Sequence, residues 1–400
     1  MARYSLWALV FILVLFGSAL AQSQAPTNVD SGVEFKTLYN FTGGSDGCCI
    51  YGGLAGDQKG NLYGVAYAGN NNTGYGDLFK LTRGTQGYSF QVLEPMVIAG
   101  GGCMTTPIMD RAGNVFGVCD GAAGGYGTLW EYSHRGKFGI LHTFNGLTDG
   151  SEPKDSVVLD ESGNIYGTTY TGGPGGSGTL WEYSPSTEEF TLLHGFTDGD
   201  DGGLLPAGPA IDGTGKIWGT TESGPNCYYC GSGTVWSYDP ATGTFTTILD
   251  FSSSIIVAPQ SRLAVDDAGS LYGTGFTAVR NNCGLVYELP KSNNYAPVVL
   301  YQFTGSGVDG CEPFGRVQLD GQGNILGATY YGGHYGNGTV YELTQGASGW
   351  QETIMHNFDI SNGSGPQAGL ITDGGGNWFG TTSSGGSAKW GTVFEMSGVK

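Results

Sequence analysis

The chain has 400 residues, 75 of them glycine, and its formal net charge at pH 7 is −19. This negative charge excludes nucleic acid as a partner and argues against binding to anionic membrane surfaces. The 23 tyrosine, 19 phenylalanine and 8 tryptophan residues supply enough apolar surface for a core, which excludes a disordered glycine-rich chain.

The N-terminal residues have the pattern of a secretory signal peptide. One basic residue, Arg3, precedes an apolar run that ends in small residues at positions 19–21. We predict a signal peptide at residues 1–21, cleaved after Ala21, and a flexible segment at residues 22–32. A retained membrane anchor is the alternative. After cleavage the chain is expected to be secreted, either extracellular or periplasmic, without membrane insertion, because no later stretch is apolar enough to span a bilayer.

From residue 33 onward one pattern occurs seven times. The anchor of the pattern is the glycine of a triplet such as Tyr-Gly-Thr: Gly64, Gly117, Gly167, Gly219, Gly273, Gly327 and Gly380. An aspartate lies seven residues before every anchor: Asp57, Asp110, Asp160, Asp212, Asp266, Asp320 and Asp373. A second glycine lies four residues before every anchor: Gly60, Gly113, Gly163, Gly215, Gly269, Gly323 and Gly376. Seven matches at two fixed offsets, about 53 residues apart, indicate tandem structural repeats.

Each repeat is predicted to form four short strands. A short first strand, such as GPAID, leads into a D-x-x-G hairpin turn. The second strand carries the anchor glycine, and a glycine-rich loop connects it to a third strand such as GTLWEYS. A polar turn leads to a fourth strand such as EFTLLHGF. Consecutive apolar residues in the second strand, such as Ile165 and Tyr166, indicate burial on both faces of the sheet.

Seven such units predict an all-β fold, a seven-bladed β-propeller of four-stranded antiparallel blades formed by residues 33–400 as a single domain. Residues 34–41 match a fourth strand, and residues 391–396 match a third strand with no fourth strand after it. The N-terminal strand is therefore expected to complete the last blade and close the ring, which removes the free sheet edges.

The core D-x-x-G-N-[LIV]-[YFW]-G, followed by a strand similar to G-T-V-F, resembles the GloVer-type tandem repeat of secreted bacterial proteins. The resemblance covers all seven units, residues 33–397. It implies a propeller in an exported protein, and the family carries no established catalytic residues to transfer. Kelch propellers share the repeat length and the paired glycines, but they fit this core less well.

All eight cysteines lie after the predicted signal peptide, and an even number in an exported chain favours disulfides. Cys103 precedes a first strand and Cys119 ends the neighbouring second strand, so we predict that they pair. Cys283 and Cys311 lie in adjacent loops and are also expected to pair. Cys227 and Cys230 form a C-x-x-C motif, for which a local disulfide is favoured over a redox site or half of a zinc site. The pairing of Cys48 and Cys49 is left open, since a bond between neighbours is strained and uncommon.

The loops between second and third strands share one face of a propeller with the loops that lead into first strands. We call this the top face. Three residues after each anchor, the end of the second strand should approach the mouth of the central channel: Tyr67, Asp120, Tyr170, Glu222, Phe276, Tyr330 and Ser383. Because these positions are fixed by the repeat while their side chains differ, we predict that the seven residues form a ring that recognises a ligand. Unconstrained surface positions would show the same variation.

A second candidate binding site is the loop YYGGHYGNG, in which Tyr331, His334 and Tyr335 cluster with Tyr330. A sugar can stack on such aromatic rings. The alternative is a loop that its own aromatic side chains stiffen.

Acidic loops raise the question of calcium, which is the one cofactor considered. Asp198, Asp200 and Asp201 occur together in TDGDDGG, and calcium takes oxygen ligands from such loops. The spacing matches no EF-hand, and Asp-Gly is also ordinary turn chemistry.

The histidines of the fourth strands, His142, His194 and His356, occupy a position that holds Tyr39 and Tyr301 in other repeats. A position that accepts either residue type is expected to serve packing.

The sequence contains no H-E-x-x-H, and Asp120 and Glu222 lie two blades apart. We therefore expect a monomeric binding or interaction module for extracellular glycans or cell-surface components. The alternatives are a polysaccharide-acting propeller enzyme, a lyase or hydrolase, and a purely structural surface protein.

Overall fold

The computed structural model describes residues 32–68, 75–99, 101–121, 125–205, 207–224, 233–251, 256–257, 259, 261–277 and 283–399. The predicted signal peptide lies outside these residues, and so does the segment that follows it up to residue 31. The fold is a seven-bladed β-propeller of four-stranded antiparallel blades, as the repeat pattern predicts.

The strands of each blade are given from the channel outward. Blade 1 contains Ala55–Gly56, Leu62–Ala66, Asp77–Gly84 and Gly87–Pro95. Blade 2 contains Ile108–Met109, Val115–Cys119, Thr128–Tyr132 and Phe138–Thr143. Blade 3 contains Val158–Leu159, Ile165–Thr169, Thr179–Ser184 and Glu189–Gly195. Blade 4 contains Ala210–Ile211, Ile217–Thr220, Thr234–Asp239 and Thr244–Asp250.

Blade 5 contains Ala264–Val265, Leu271–Thr277, Leu285–Leu289 and Val298–Gln302. Blade 6 contains Gln318–Leu319, Ile325–Thr329, Thr339–Gly346 and Gly349–Asn357. Blade 7 contains Ile371–Thr372, Trp378–Thr382, Thr392–Ser397 and Glu34–Asn40. Short strands on the top face extend two blades: Ile256–Val257 pairs with the second strand of blade 5, and Gly310–Cys311 pairs with Tyr331–Gly332 in blade 6.

The N-terminal strand closes the ring as predicted. Glu34–Asn40 pairs antiparallel with Thr392–Ser397, the third strand of blade 7. A register shift interrupts this pairing between Thr37 and Tyr39, and a shift recurs between the third and fourth strands of the other six blades. The closing strand therefore reproduces the geometry of an ordinary fourth strand.

Each anchor glycine lies directly opposite an aromatic residue of the third strand. The pairs are Gly64–Phe79, Gly117–Trp130, Gly167–Trp181, Gly219–Trp236, Gly273–Tyr287, Gly327–Tyr341 and Gly380–Phe394. In every pair the aromatic ring lies over the glycine, and a Cβ added there would come closer than 3.0 Å to the ring. The seven aromatic residues are fully buried. The anchor must therefore be glycine because the packed ring occupies the space of a side chain.

The core consists of clusters that fill the interfaces between consecutive blades. For example, one cluster contains Trp181 of blade 3 together with Phe116 of blade 2. Phe144 and Val157, which precede the first strand of blade 3, belong to the same cluster. Among the described residues, such clusters occur at all seven interfaces of the ring. No helix of the described residues is long and apolar enough to cross a membrane.

Replacing an anchor glycine tests this packing. We expect Gly327→Ala to lower the free energy of unfolding by about 1–3 kcal/mol, because its Cβ would overlap the Tyr341 ring in a filled core. Chemical denaturation of the variant and the parent protein measures the change.

Gly321→Ala is the matched control from the exposed turn of the same blade. A Cβ at Gly321 meets nothing within 4 Å, so we expect a change of no more than about 0.5 kcal/mol. Equal effects of the two substitutions would contradict the packing role of the anchor.

Candidate functional site

The mouth of the central channel is formed by a position that lies 13 residues before each anchor. It holds Tyr51, Met104, Lys154, Phe314 and Gln367 in the described part of the chain. These residues immediately precede the first strands, so each of them lies where its blade meets the top of the channel. They line a cavity of 670 Å³ that continues down between the first strands.

The predicted ring residues contact this inner layer of side chains from behind. The Tyr51 and Tyr67 rings lie 5.4 Å apart in blade 1, and the Phe314 and Tyr330 rings lie 5.9 Å apart in blade 6. Of the six predicted ring residues whose side chains are described, none lines the cavity itself. The inner wall therefore belongs to the position before the first strand, and the predicted ring supports it. Phe276 lies in the second strand of blade 5, but its side chain is outside the described part.

Blade 3 supplies a charged sector of the mouth. The Lys154 ammonium lies 3.5 Å from the centroid of the Tyr170 ring, and it is 3.2 Å from a carboxylate oxygen of Glu152. The Tyr170 hydroxyl donates a 2.9 Å hydrogen bond to Glu222 of blade 4. The cation–π attraction acts within blade 3, whereas the hydrogen bond joins blade 3 to blade 4 at the rim. At the remaining predicted ring position, the Ser383 hydroxyl donates to the carbonyl of Gly365.

Asp120 is the acidic residue of blade 2 at the rim. Burial raises its pKa to about 6, the Lys154 charge lowers it, and the Glu152 charge raises it. Its carboxyl group lies against the backbone of Gly102, where no side chain would fit. Asp120 therefore interacts with the charges of blade 3, whereas Glu222 accepts a hydrogen bond from Tyr170.

The aromatic side chains that are exposed in the described part of the chain all lie in loops between second and third strands. They are Tyr75, Tyr126, Tyr331, Tyr335 and Trp390. These loops belong to blades 6, 7, 1 and 2, which are consecutive around the closed ring. The exposed rings therefore occupy one continuous sector of the top face, which we call the aromatic sector.

Two rings of the aromatic sector lie on glycine backbone. The Trp390 ring, 46% exposed, covers Gly43, and the Tyr126 ring, 50% exposed, covers Gly146. At both glycines φ is positive, +74° and +80° respectively, and a Cβ would overlap the ring. Each ring is thus supported from beneath while much of its surface remains open to solvent.

The predicted aromatic loop of blade 6 is also part of the aromatic sector. Tyr331 packs edge-on against Tyr330 at 4.4 Å, and Tyr335 packs edge-on against His334 at 4.7 Å. The backbone amide of His334 donates a 2.8 Å hydrogen bond to the side chain of Asn357. Tyr331 and Tyr335 are 49% and 58% exposed, so the loop is stiffened by its own contacts and still presents open rings.

Two of the three aspartates considered for calcium have side-chain partners. Asp201 accepts hydrogen bonds from the Thr197 side chain at 2.7 Å and pairs with His194 at 3.0 Å. Asp198 accepts a hydrogen bond from Ser223, and Asp200 is exposed. Within the described residues no group of three or more His, Cys, Asp or Glu side chains could hold a metal ion. The acidic loop therefore shows turn and capping chemistry.

The fourth-strand histidines have a recurrent structural environment. His142 pairs with Asp149 at 2.9 Å and stacks on Phe190 of the next blade at 3.8 Å. His194 repeats both contacts with Asp201 and with Phe245. His356 instead stacks on Phe35, the residue of the N-terminal strand that closes the ring. These positions serve packing between blades, in line with the sequence pattern.

The structure contains the disulfides Cys103–Cys119 and Cys283–Cys311, as predicted. Both fasten loops of the top face. It also pairs Cys48 with Cys49, whose pairing the sequence pattern leaves open. Cys227 and Cys230 lie outside the described residues, so their pairing stays a prediction. Disulfides are typical of proteins that fold in an oxidising compartment.

Comparison with known proteins supports the repeat assignment. Residues 119–287 and 258–399 match the family model described as the Gloeobacter/Verrucomicrobia repeat. A search of curated proteins found no match.

Solved structures are similar to this chain at low sequence identity. PorZ, described as an essential bacterial surface component of the type-IX secretion system of Porphyromonas gingivalis, is similar with a TM-score of 0.56 and 14% identity. The alignment covers 89% of this chain and 47% of the PorZ chain, so this chain spans about half the length of PorZ. TolB from Acinetobacter baumannii is similar with a TM-score of 0.45 and 12% identity, over 70% of this chain and 61% of TolB.

Replacing Asp120 tests the electrostatics of the rim. Its pKa is about 6 in the folded protein against a model-compound value of 3.8, so the folded state binds this proton more tightly than the unfolded chain does. The contribution of Asp120 to stability therefore falls as the pH rises from about 4 to about 6. We expect Asp120→Asn to raise the free energy of unfolding above pH 6, by on the order of 1 kcal/mol after allowance for solvent screening.

Urea denaturation of the variant and the parent protein at a series of pH values measures this difference. Below about pH 4 the difference that arises from ionisation should vanish, because the parent carboxyl group is then neutral in both states. Asp200→Asn, at an exposed aspartate of the same face, is the control. A difference for Asp120→Asn that does not vary with pH would contradict the assignment.

Proposed function

The chain belongs to the Gloeobacter/Verrucomicrobia repeat family, and we propose that it is an exported binding module whose top face takes an extracellular glycan. The observation that carries this proposal is the aromatic sector of blades 6, 7, 1 and 2. Its rings are partly exposed and lie in neighbouring loops, and four of the five lie against glycine backbone or an adjacent aromatic side chain.

Sugar rings present apolar C–H faces together with many hydroxyl groups. An aromatic ring offers them a flat apolar contact, and a ring that is already fixed loses little conformational entropy on binding. Trp390 on Gly43 and Tyr126 on Gly146 meet this requirement. Polar side chains of the rim, such as Lys154 and Glu222, lie beside the channel and can hydrogen-bond hydroxyl groups.

Export is supported by the signal-like N-terminus and by the disulfides of the top face. The Cys103–Cys119 bond ties the loop before the first strand of blade 2 to the end of its second strand. Its position beside the mouth favours a rigid binding surface.

The alternative of a polysaccharide-acting enzyme requires a cluster of carboxylates or histidines at the channel mouth, and a hydrolase places two carboxyl groups across the glycosidic bond. Asp120 and Glu222 are the acidic candidates of the predicted ring, and they are engaged by different partners. The alternative of a purely structural protein gives no reason for solvent-exposed aromatic rings in four consecutive blades. Both alternatives therefore have less support than a binding role.

A glycan array probed with residues 22–400, with and without calcium, tests the proposal. We expect binding to a defined class of glycan that does not depend on calcium. Trp390→Ala and Tyr126→Ala should each weaken the affinity about 5- to 30-fold, the equivalent of about 1–2 kcal/mol of lost ring contact.

Val298→Ala is the control, since it removes an exposed apolar side chain from the outer strand of blade 5. It should leave the affinity unchanged. Glycan binding that survives both aromatic substitutions would contradict the assignment of the aromatic sector, and calcium-dependent binding would redirect the search to Asp198, Asp200 and Asp201.

A further inference from the structure

Two arginines project into the central channel below the mouth. Arg262 of blade 5 and Arg316 of blade 6 both lie 11 residues before their anchors and line the same cavity. The corresponding residues of the other blades are small: Gly53, Thr106, Ser156, Gly208 and Gly369. Neighbouring blades therefore place two guanidinium groups side by side in a channel that small residues leave open.

Neither guanidinium has a carboxylate partner among the described residues. Within the described ranges neither arginine takes part in an ion pair, and the buried Nε atoms of both have no acceptor there. The hydrogen bond that these side chains make to a described residue is long, from Arg262 Nη1 to the Ser156 hydroxyl at 3.4 Å. Buried donors without acceptors are costly, and most native structures avoid them.

The channel has one acidic residue near the arginines, and that residue is already engaged. Asp155 accepts a 2.9 Å hydrogen bond from the backbone amide of Gly208. The described cavity lining otherwise carries the positive charges of Lys154, Arg262 and Arg316. Burial lowers the pKa of Arg262, the Arg316 charge lowers it further, and Asp155 raises it. A guanidinium nevertheless stays protonated at neutral pH, so the two like charges persist.

This arrangement is unusual for a chain with a formal net charge of −19. Three of the 16 lysine and arginine residues line this cavity, where low-dielectric walls focus their field and favour an anion. A carboxylate or sulfate group matches the planar fork of an arginine and would supply acceptors to the unpartnered donors.

We propose that the central channel is an oxyanion-binding site in which Arg262 and Arg316 together hold a carboxylate or sulfate group. The cavity of 670 Å³ is larger than an inorganic ion needs, so it also accommodates an acidic sugar that enters from the mouth. The site does not depend on glycan binding by the aromatic sector, because inorganic sulfate alone should occupy it.

Thermal unfolding in sodium sulfate and in sodium chloride at equal ionic strength tests the site. A ligand that binds only the folded state raises the melting temperature with its concentration. We expect sulfate to stabilise the parent protein and the control Arg135→Gln, which removes an exposed arginine of blade 2. Sulfate also stabilises proteins in general by exclusion from their surface, and the comparison between variants removes this common effect.

The double variant Arg262→Gln/Arg316→Gln should lose the additional sulfate response. In chloride it should be at least as stable as the parent, because the substitution removes the repulsion between two partly buried like charges. An equal sulfate response in the double variant, or no additional response in the parent, would overturn the proposal. A double variant that is much less stable in chloride would show that the arginines are structural, and would overturn it as well.

Calorimetric titration with a hexuronate oligosaccharide and with a neutral oligosaccharide of equal length identifies the source of the anion. Hexuronate binding that the double variant weakens at least 10-fold assigns the site to an acidic sugar. Sulfate binding without hexuronate binding assigns it to a free inorganic anion. Trp390→Ala separates the two proposals: if it leaves hexuronate affinity unchanged while the double variant abolishes it, the channel site stands and the aromatic sector fails.

Discussion

The contact between each anchor glycine and the aromatic ring opposite it is the constraint on which the rest of the structure depends. The ring of Trp181 occupies the space above Gly167, and that contact holds the second and third strands of the blade in one register. A shift of one residue would place a side chain under the ring and turn apolar residues to the wrong face. The same ring fills the interface with the preceding blade, where it packs with Phe116. This one contact therefore determines both the strand register within the blade and the packing of the blade against the preceding one.

The repeated glycine–ring contact explains why the side chains of the top face can differ from blade to blade. Once the second strand is fixed, the described residues 13 before the anchor line the cavity, and in blades 1, 3 and 6 they contact the residue 3 after it. Blade 1 uses these positions for Tyr51 and Tyr67, and blade 3 uses them for Lys154 and Tyr170. The interior tolerates few changes, while the mouth accepts aromatic, charged or small side chains. Recognition can therefore change without cost to the fold.

The frame was predictable from the sequence because its constraints repeat without exception. The anchors predict the seven blades, the N-terminal strand predicts ring closure, and the neighbouring strand ends predict the Cys103–Cys119 bond. The inner wall of the channel was missed, although counting 11 residues back from the anchors finds Arg262 and Arg316. Those positions vary between repeats, so the pattern gives them no weight. These two arginines are notable because no described carboxylate forms an ion pair with them, and this can be seen only when the blades are assembled into the ring.

Other details depend on long-range geometry or on local chemistry that a pattern does not specify. Asp201 is one acidic residue among three in its loop, and its contact with His194 follows from how the fourth strand meets that loop. The exposed rings of Trp390 and Tyr126 depend on glycines of other loops, Gly43 and Gly146, that lie beneath them. Periodicity identifies which residues recur, whereas a binding surface consists of the residues that do not.

A double-mutant cycle on Gly167 and Trp181 tests the central claim most directly. The measurement is the free energy of unfolding of Gly167→Ala, Trp181→Leu and the double variant. If the ring is the reason for the glycine, the smaller leucine leaves room for the alanine Cβ. The double variant should then be more stable than the sum of the single effects predicts, by about 1–2 kcal/mol. Effects that add within about 0.5 kcal/mol would show that the two residues do not act through one contact, and would contradict the account.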